Sequence, residues 1–259
     1  MLTVLGEYVL PSDDAVWQET LVRSLEVVGH KTQAARQALA RSVAGGWLTR
    51  ERHGRRARLS LTAPTAEILS TGAERIYSFG EDWSWDGHWL LVVVRVPEHS
   101  RELRQRLRTR LEWAGFGSLG GGLFIAPRAG SESAIRLPKD PDGVLELTTF
   151  QATLGGFGNA RAVVAGAWDL EEVAAEYESF VGEFGRLRPK TPEAVFRAQT
   201  MLVHEWRKFP FLDPDLPVEL LPGRWPRARA RQVFKERHDA WGDVAHDYFR
   251  SLDGLLTVA

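Results

Sequence analysis

Two apolar-faced helical periods parted by a glycine, then a Gly-Gly stop and an arginine-rich hairpin, follow one another over residues 12–61. That order leaves few folds open. A short apolar stripe, Leu2, Leu5, Val9 and Leu10, comes first and is ended by Pro11. Ser12, Asp13 and Asp14 offer N-caps to a second helix. In it Val16, Thr20, Leu21, Leu25 and Val28 recur at helical spacing before Gly29. The third helix opens near Thr32, keeps Ala35, Leu39 and Val43 on one face and Gln33, Arg36, Gln37 and Arg41 on the other, and stops at Gly45-Gly46. Trp47 and Leu48 then start a strand, His53-Gly54-Arg55-Arg56 turn it, and Arg58-Leu59-Ser60-Leu61 alternate on the way back. This is the order of a winged helix-turn-helix, whose second helix of the pair enters the major groove of DNA.

Charge points the same way. The whole chain carries a net −1, but residues 31–58 hold eight cations against the single Glu51, a local +7. Such a concentration is the footprint of a phosphate-facing surface. Arginine pairs bidentately with guanine and glutamine with adenine, and helix N-terminal groups hold phosphate. The expected contacts with a double-stranded DNA operator are therefore Lys31, Thr32, Gln33, Arg36, Gln37, Arg41, Arg52, Arg55, Arg56 and Arg58. The rival reading is a small-molecule-binding enzyme or sensor whose basic face meets only solvent.

The 259 residues suffice for one large domain or two to three small ones, and 44% hydrophobic content supports a buried core. Without cysteine there is no disulfide, thiolate zinc site or cysteine nucleophile. The N-terminus lacks the pattern of a signal peptide, and the apolar run 89–94 is too short to cross a bilayer, so a cytoplasmic protein with no membrane partner is expected. The fold class expected is α+β, in three regions. Residues 1–62 form the winged helix-turn-helix. Residues 63–165 read as a ferredoxin-like domain, with strands at 89–96, 116–119, 122–126 and 144–150 and a helix at 101–112 carrying Leu103, Leu107 and Leu111. Its second helix is expected to be short or absent because Pro138 and Pro141 interrupt it. Residues 166–259 are expected to be helical at about 170–187, 192–208 and 227–252.

Several runs resemble the PaaX family of phenylacetate-pathway repressors. They begin with Leu5-Gly6-Glu7-Tyr8-Val9, Trp17 and the octad from Ala34 to Arg41, where Ala35 stands in place of the usual valine before Arg36. They continue through Gly46-Trp47-Leu48, Trp85-Asp86-Gly87, Leu111-Glu112-Trp113-Ala114-Gly115-Phe116-Gly117 and Ala167-Trp168-Asp169-Leu170. They end with His204-Glu205-Trp206-Arg207, Asp213-Pro214 and Trp225-Pro226. The resemblance implies a homodimeric repressor released from DNA by an aryl-acyl coenzyme A thioester such as phenylacetyl-CoA. Such a ligand needs an apolar pocket and basic groups. His204, Trp206, Arg207, Arg224 and Trp225 are the candidates for it.

No resident cofactor or metal is expected. Gly115-Phe-Gly117-Ser-Leu-Gly120 matches a dinucleotide fingerprint in letters, but it follows a helix and leads into a strand. The middle region also resembles the small CRISPR adaptation nuclease. Its first strand, however, ends Val94-Arg95-Val96 without the carboxylate that would hold magnesium. His238 and His246 lie eight residues apart, too far for a helical zinc pair, and read as solvated helix-face residues.

Overall fold

A computed structural model describes residues 1–12, 14–81, 83–128, 131–132, 135, 137–140 and 143–257. The fold is α+β, with two antiparallel sheets among many helices. It divides into two compact units: Met1–Ser78, Phe180–Arg207 and Arg229–Ala259 form one, and Phe79–Ser179 with Lys208–Ala228 the other.

In the first unit, helix α1 opens at Leu2–Val4, widens into a π turn over Leu5–Val9 and ends as a 3₁₀ turn, Leu10–Ser12. The wide turn brings Glu7 and Tyr8 inward beside Leu5 and Val9, whereas Leu2 and Leu10 are only half-buried. Strand β1 (Val16–Trp17) pairs antiparallel with β3, so the second helix starts two residues later than its apolar spacing suggests, as α2 (Gln18–Val27). Ser12 and Asp14 do not cap that helix. Ser12 Oγ donates to Val9 O and accepts from Asp14 N–H, while Asp13 lies outside the described residues. The acceptor near the start of α2 comes from far along the chain: Asp253 Oδ1 takes the Trp17 N–H at 2.9 Å and the Thr20 hydroxyl at 2.8 Å.

Helix α3 (Thr32–Ala44) follows after Gly29, whose φ of 98° lets His30 N–H reach back to Leu25 O. The same closure ends α3, where Gly46 has a φ of 73° and Trp47 N–H bonds Ser42 O. Strands β2 (Leu48–His53) and β3 (Arg56–Leu61) make a hairpin paired from Leu48↔Leu61 to His53↔Arg56, in a sheet ordered β1-β3-β2. Gly54, with φ 62°, is the first of its two loop residues, the position that a tight hairpin turn reserves for glycine. Helix α4 (Ala63–Ser78) was not foreseen from the apolar pattern, although Thr62 and Pro64 are start signals for it.

In the second unit β4 (Trp89–Arg95) is central in an antiparallel sheet ordered β5-β6-β4-β7, with β5 Gly117–Gly120, β6 Leu123–Ala126 and β7 Glu146–Ala152. Helix α5 (Arg101–Trp113) lays Leu107 and Leu111 on one face of the sheet, against Leu90, Val92, Phe116 and Phe124. The other face carries Trp89 and Ile125 against Val164, Leu170, Leu216 and Leu221. Both faces are covered, which is why β4 is apolar without alternation. Among the described residues between β6 and β7 there is no α-helix. Pro141, one of the two prolines invoked for that, lies outside them.

Helix α6 (Ala160–Ala167) was not foreseen either, although Asn159 caps it by accepting from Arg161 and Ala162 N–H. Helices α7 (Leu170–Phe184), α8 (Pro192–Trp206), α9 (Phe209–Leu212) and α10 (Arg227–Thr257) complete the chain. Helix α8 is capped by Thr191, whose hydroxyl accepts from Ala194 N–H at 3.2 Å, with Pro192 at its first turn. Thr191→Ala is expected to cost about 1 kcal/mol, read from urea unfolding. An unchanged midpoint would mean the cap contributes nothing.

Candidate nucleic-acid interface

The inner side of α3 is small: Ala35, Leu39 and Ser42 are buried. On its outer side Gln33, Arg36, Gln37 and Arg41 are all exposed, with the exposed Ala34 and Ala40 between them, so the backbone there is approachable. Gln33 to Arg41 spans about 12 Å of helix axis. Lys31 occupies the N-cap without a side-chain cap bond, which leaves the first N–H groups of α3 open to an anion.

The hairpin continues this surface. Arg50 and Arg52 lie opposite Leu59 and Ala57 in register, while Arg56 and Arg58 lie opposite His53 and Glu51 on the other face. Cations therefore leave the hairpin on both sides, with Arg55 at the tip. Trp17 underlies one side: its ring lies 5.9 Å from the Arg56 guanidinium and 5.3 Å from that of Arg58, and His53 meets its edge.

All ten residues expected at DNA belong to this one unit, but they are not equally available. Lys31, Thr32, Gln33, Arg36, Gln37, Arg41, Arg52, Arg55 and Arg56 are exposed. Arg36 pairs with Glu19 of α2 at 3.3 Å, and the Thr32 hydroxyl donates to Glu26. Arg58 is half-buried, 3.7 Å from Asp253 of α10. The local charge of the basic stretch is thus partly answered by Glu19, Glu26 and Asp253, all of which lie outside it. The exposed Arg36–Glu19 pair is worth 0 to about 1 kcal/mol, so a phosphate can displace it.

The five residues expected at a ligand do not form one group in either unit. His204, Trp206 and Arg207 are in the first and Arg224 and Trp225 in the second. His204, exposed at the end of α8, shares a hydrogen bond of 3.2 Å with the Thr3 hydroxyl. Arg207 is half-buried at the end of the same helix. Trp206 is committed to packing: it is 1% exposed, stacks on Phe234 at 4.7 Å and donates its indole N–H to Ile76 O. Arg224 is exposed with a φ of 63°, and Trp225 is half-buried, edge-on to Tyr177.

His238 and His246 correct the sequence expectation. They are not solvated helix-face residues but half-buried ones that meet at Glu7. His238 Nε2–H donates to the Glu7 carboxylate at 3.0 Å, and His246 Nε2 lies 2.9 Å from the Glu7 carbonyl oxygen. Gln199 donates to the same carboxylate at 2.9 Å, and the Tyr77 hydroxyl donates to its other oxygen. Burial opposes the charge of Glu7, but these donors and the charge of His238 outweigh it and hold the carboxyl below its ordinary range. Among the described residues no cluster of His, Cys, Asp or Glu has the makeup of a metal site, and no helix is long and apolar enough to cross a membrane.

A helix pair and a two-sided basic hairpin on one small sheet define the class of module that faces a polyanion. Matches with known proteins resolve the class to a family. Residues 1–65 match the model of the PaaX-like protein, residues 82–164 that of the PaaX protein central Cas2-like domain, and residues 168–251 that of the PaaX-like protein C-terminal domain. The chain is 31% identical over 229 residues to the transcriptional repressor PaaX of Escherichia coli (strain K12), covering 84% of this chain and 72% of that protein. The chain belongs to the PaaX family. Its fold is also similar to that of the uncharacterized protein Rv0674 from Mycobacterium tuberculosis, with a TM-score of 0.58, 21% identity and 90% of each chain covered.

Proposed function

We propose that this chain is a DNA-binding transcriptional regulator, a repressor rather than an enzyme, whose residues 1–62 act as a winged helix-turn-helix. The observation that carries this is the exposed Gln33, Arg36, Gln37 and Arg41 face of α3 beside a hairpin with arginines on both sides. Helix α3 reads base edges in the major groove, and the hairpin reaches phosphates of the flanking groove. Kinship with a repressor supports the same reading. The regulator works in the cytoplasm as a homodimer on a pseudo-palindromic operator, with half-sites about 10 bp apart. An aryl-acyl-CoA-type effector releases it. The middle domain follows a ferredoxin-like plan, since the sheet order β5-β6-β4-β7 is the order that plan requires.

The test is fluorescence anisotropy on DNA from upstream of the protein's own gene, across a salt series. Affinity is expected to fall steeply with salt. Arg36→Glu and Arg56→Glu are each expected to weaken binding by roughly ten- to a hundredfold while the far-ultraviolet dichroism stays unchanged. Wild-type affinity in both variants would end the DNA-binding reading of this surface.

A further inference from the structure

Helix α2 opens the helix pair beside the basic hairpin, and its first turn is completed from the far end of the chain. Its N-cap is Trp17, whose side chain makes no capping bond. In a capping box the third helical residue is a Glu or Gln that reaches back to the N-cap N–H. Here that position holds Thr20, which is too short, and Asp253 of α10 takes the place. Its Oδ1 accepts from Trp17 N–H at 2.9 Å and from the hydroxyl of the fully buried Thr20 at 2.8 Å. The carboxylate is held from its own helix too. Phe249 and Leu252 are buried, Phe249 stacks on Tyr8 at 5.3 Å, and His246 Nε2 lies 2.9 Å from the Glu7 carbonyl oxygen. Helix α10 is thus anchored as far as Asp253.

With Oδ1 engaged, Oδ2 is left for Arg58 of β3, whose Nη2 lies 3.7 Å away. Trp17 sits opposite Arg58 in the register of β1 and β3, and its ring lies 5.3 Å from the guanidinium. Arg58 Nε is buried without an acceptor among the described residues, so a phosphate cannot reach the arginine there. Exposure ranks the two ion pairs of this surface: 56% and 41% for Arg36–Glu19, against 35% and 20% for Arg58–Asp253. The less exposed pair is less screened. Asp253 is also ordered already by its two hydrogen bonds, so pairing costs little further side-chain entropy.

We infer that Asp253 is a positioning residue of the DNA interface: it holds Arg58 against Trp17 and keeps that guanidinium from the phosphates. Arg58 is then no phosphate contact in the wild-type protein, unlike the exposed Arg52, Arg55 and Arg56. The inference rests on the DNA-binding reading and adds that the C-terminal helix sets how many phosphates the hairpin neutralises.

Anisotropy of the full chain on a duplex of arbitrary sequence, across a salt series, tests it. Each phosphate neutralised contributes about −0.9 to the slope of log affinity against log salt. Arg58→Ala alone is expected to leave the slope unchanged. Asp253→Asn keeps an amide oxygen for Trp17 and Thr20 but loses the charge. It is expected to steepen the slope by about 0.9 and to tighten binding at low salt about two- to fivefold, with the thermal midpoint held. Arg58→Ala in the Asp253→Asn background is expected to erase both gains. Asp253→Ala is expected to lower the midpoint by about 2–5 °C yet steepen the slope equally, which separates the charge from the capping. A slope that flattens by about 0.9 in Arg58→Ala alone would put that arginine on a phosphate already and overturns the inference. So does an unchanged slope in Asp253→Asn. A wild type that binds no duplex at low salt ends the DNA-binding reading and this inference together.

Discussion

Replacing Asp213 by alanine is expected to cost about 3–5 kcal/mol, the largest single effect in this chain. The carboxylate is fully buried and accepts four bonds: Arg227 Nε at 2.8 Å, Arg227 Nη2 at 2.9 Å, the Tyr177 hydroxyl at 2.7 Å and Asp215 N–H at 2.8 Å. Arg227 is 6% exposed and also donates to Asp215 and to Leu216 O. Removing the carboxylate strands a guanidinium in the interior. Tyr177, stacked on Phe209 at 4.1 Å, loses its acceptor as well. Replacing both charges, as in Asp213→Leu with Arg227→Met, is expected to recover most of the loss, because the desolvation of both ions vanishes together. Thermal unfolding followed by circular dichroism decides it: a drop of roughly 10 °C for the single variant fits, and an unchanged midpoint refutes the assignment.

Glu7→Ala is expected to cost about 2–4 kcal/mol at neutral pH. The value sits below that of Asp213 because His238 keeps 27% of its side chain in solvent and can rehydrate. The pH dependence has a definite sign. The folded carboxyl titrates below its ordinary value of 4.5, so its contribution is complete above that pH and lost as pH falls through the folded value. Glu7→Gln, which mimics the protonated acid, should therefore differ most from wild type near pH 7, and the gap should narrow in the acid range below about pH 4.5. Urea midpoints at both ends of that range measure it. A gap that stays constant with pH would show that the ionised carboxylate of Glu7 does not stabilise the fold.

The helical period of α3, the glycine closures after α2 and α3, the hairpin turn at Gly54 and the apolar strand β4 were all legible in the chain, because each is decided by neighbours within a few residues. So was the basic stretch, since charge needs only counting. The helices α4 and α6 were not read, though Thr62, Pro64 and Asn159 signal their starts. Nor was the role of Trp17, which depends on β1 lying beside β3.

The linear order of residues thus determined the helix and hairpin periods near the N-terminus, the apolar strand β4 and the family to which the chain belongs. Only the tertiary structure decided which charges are spoken for. Glu19 reaches Arg36 across two helices, and Asp253 returns from 195 positions beyond Arg58 to hold it. Glu7 finds Tyr77, Gln199 and His238, and Trp206 is buried against Phe234. The physical reason is common to these cases. Helical and strand periods are local properties of the backbone, whereas a buried carboxylate, an ion pair or a buried indole such as that of Trp206 is defined by partners that chain folding alone brings within 3–4 Å.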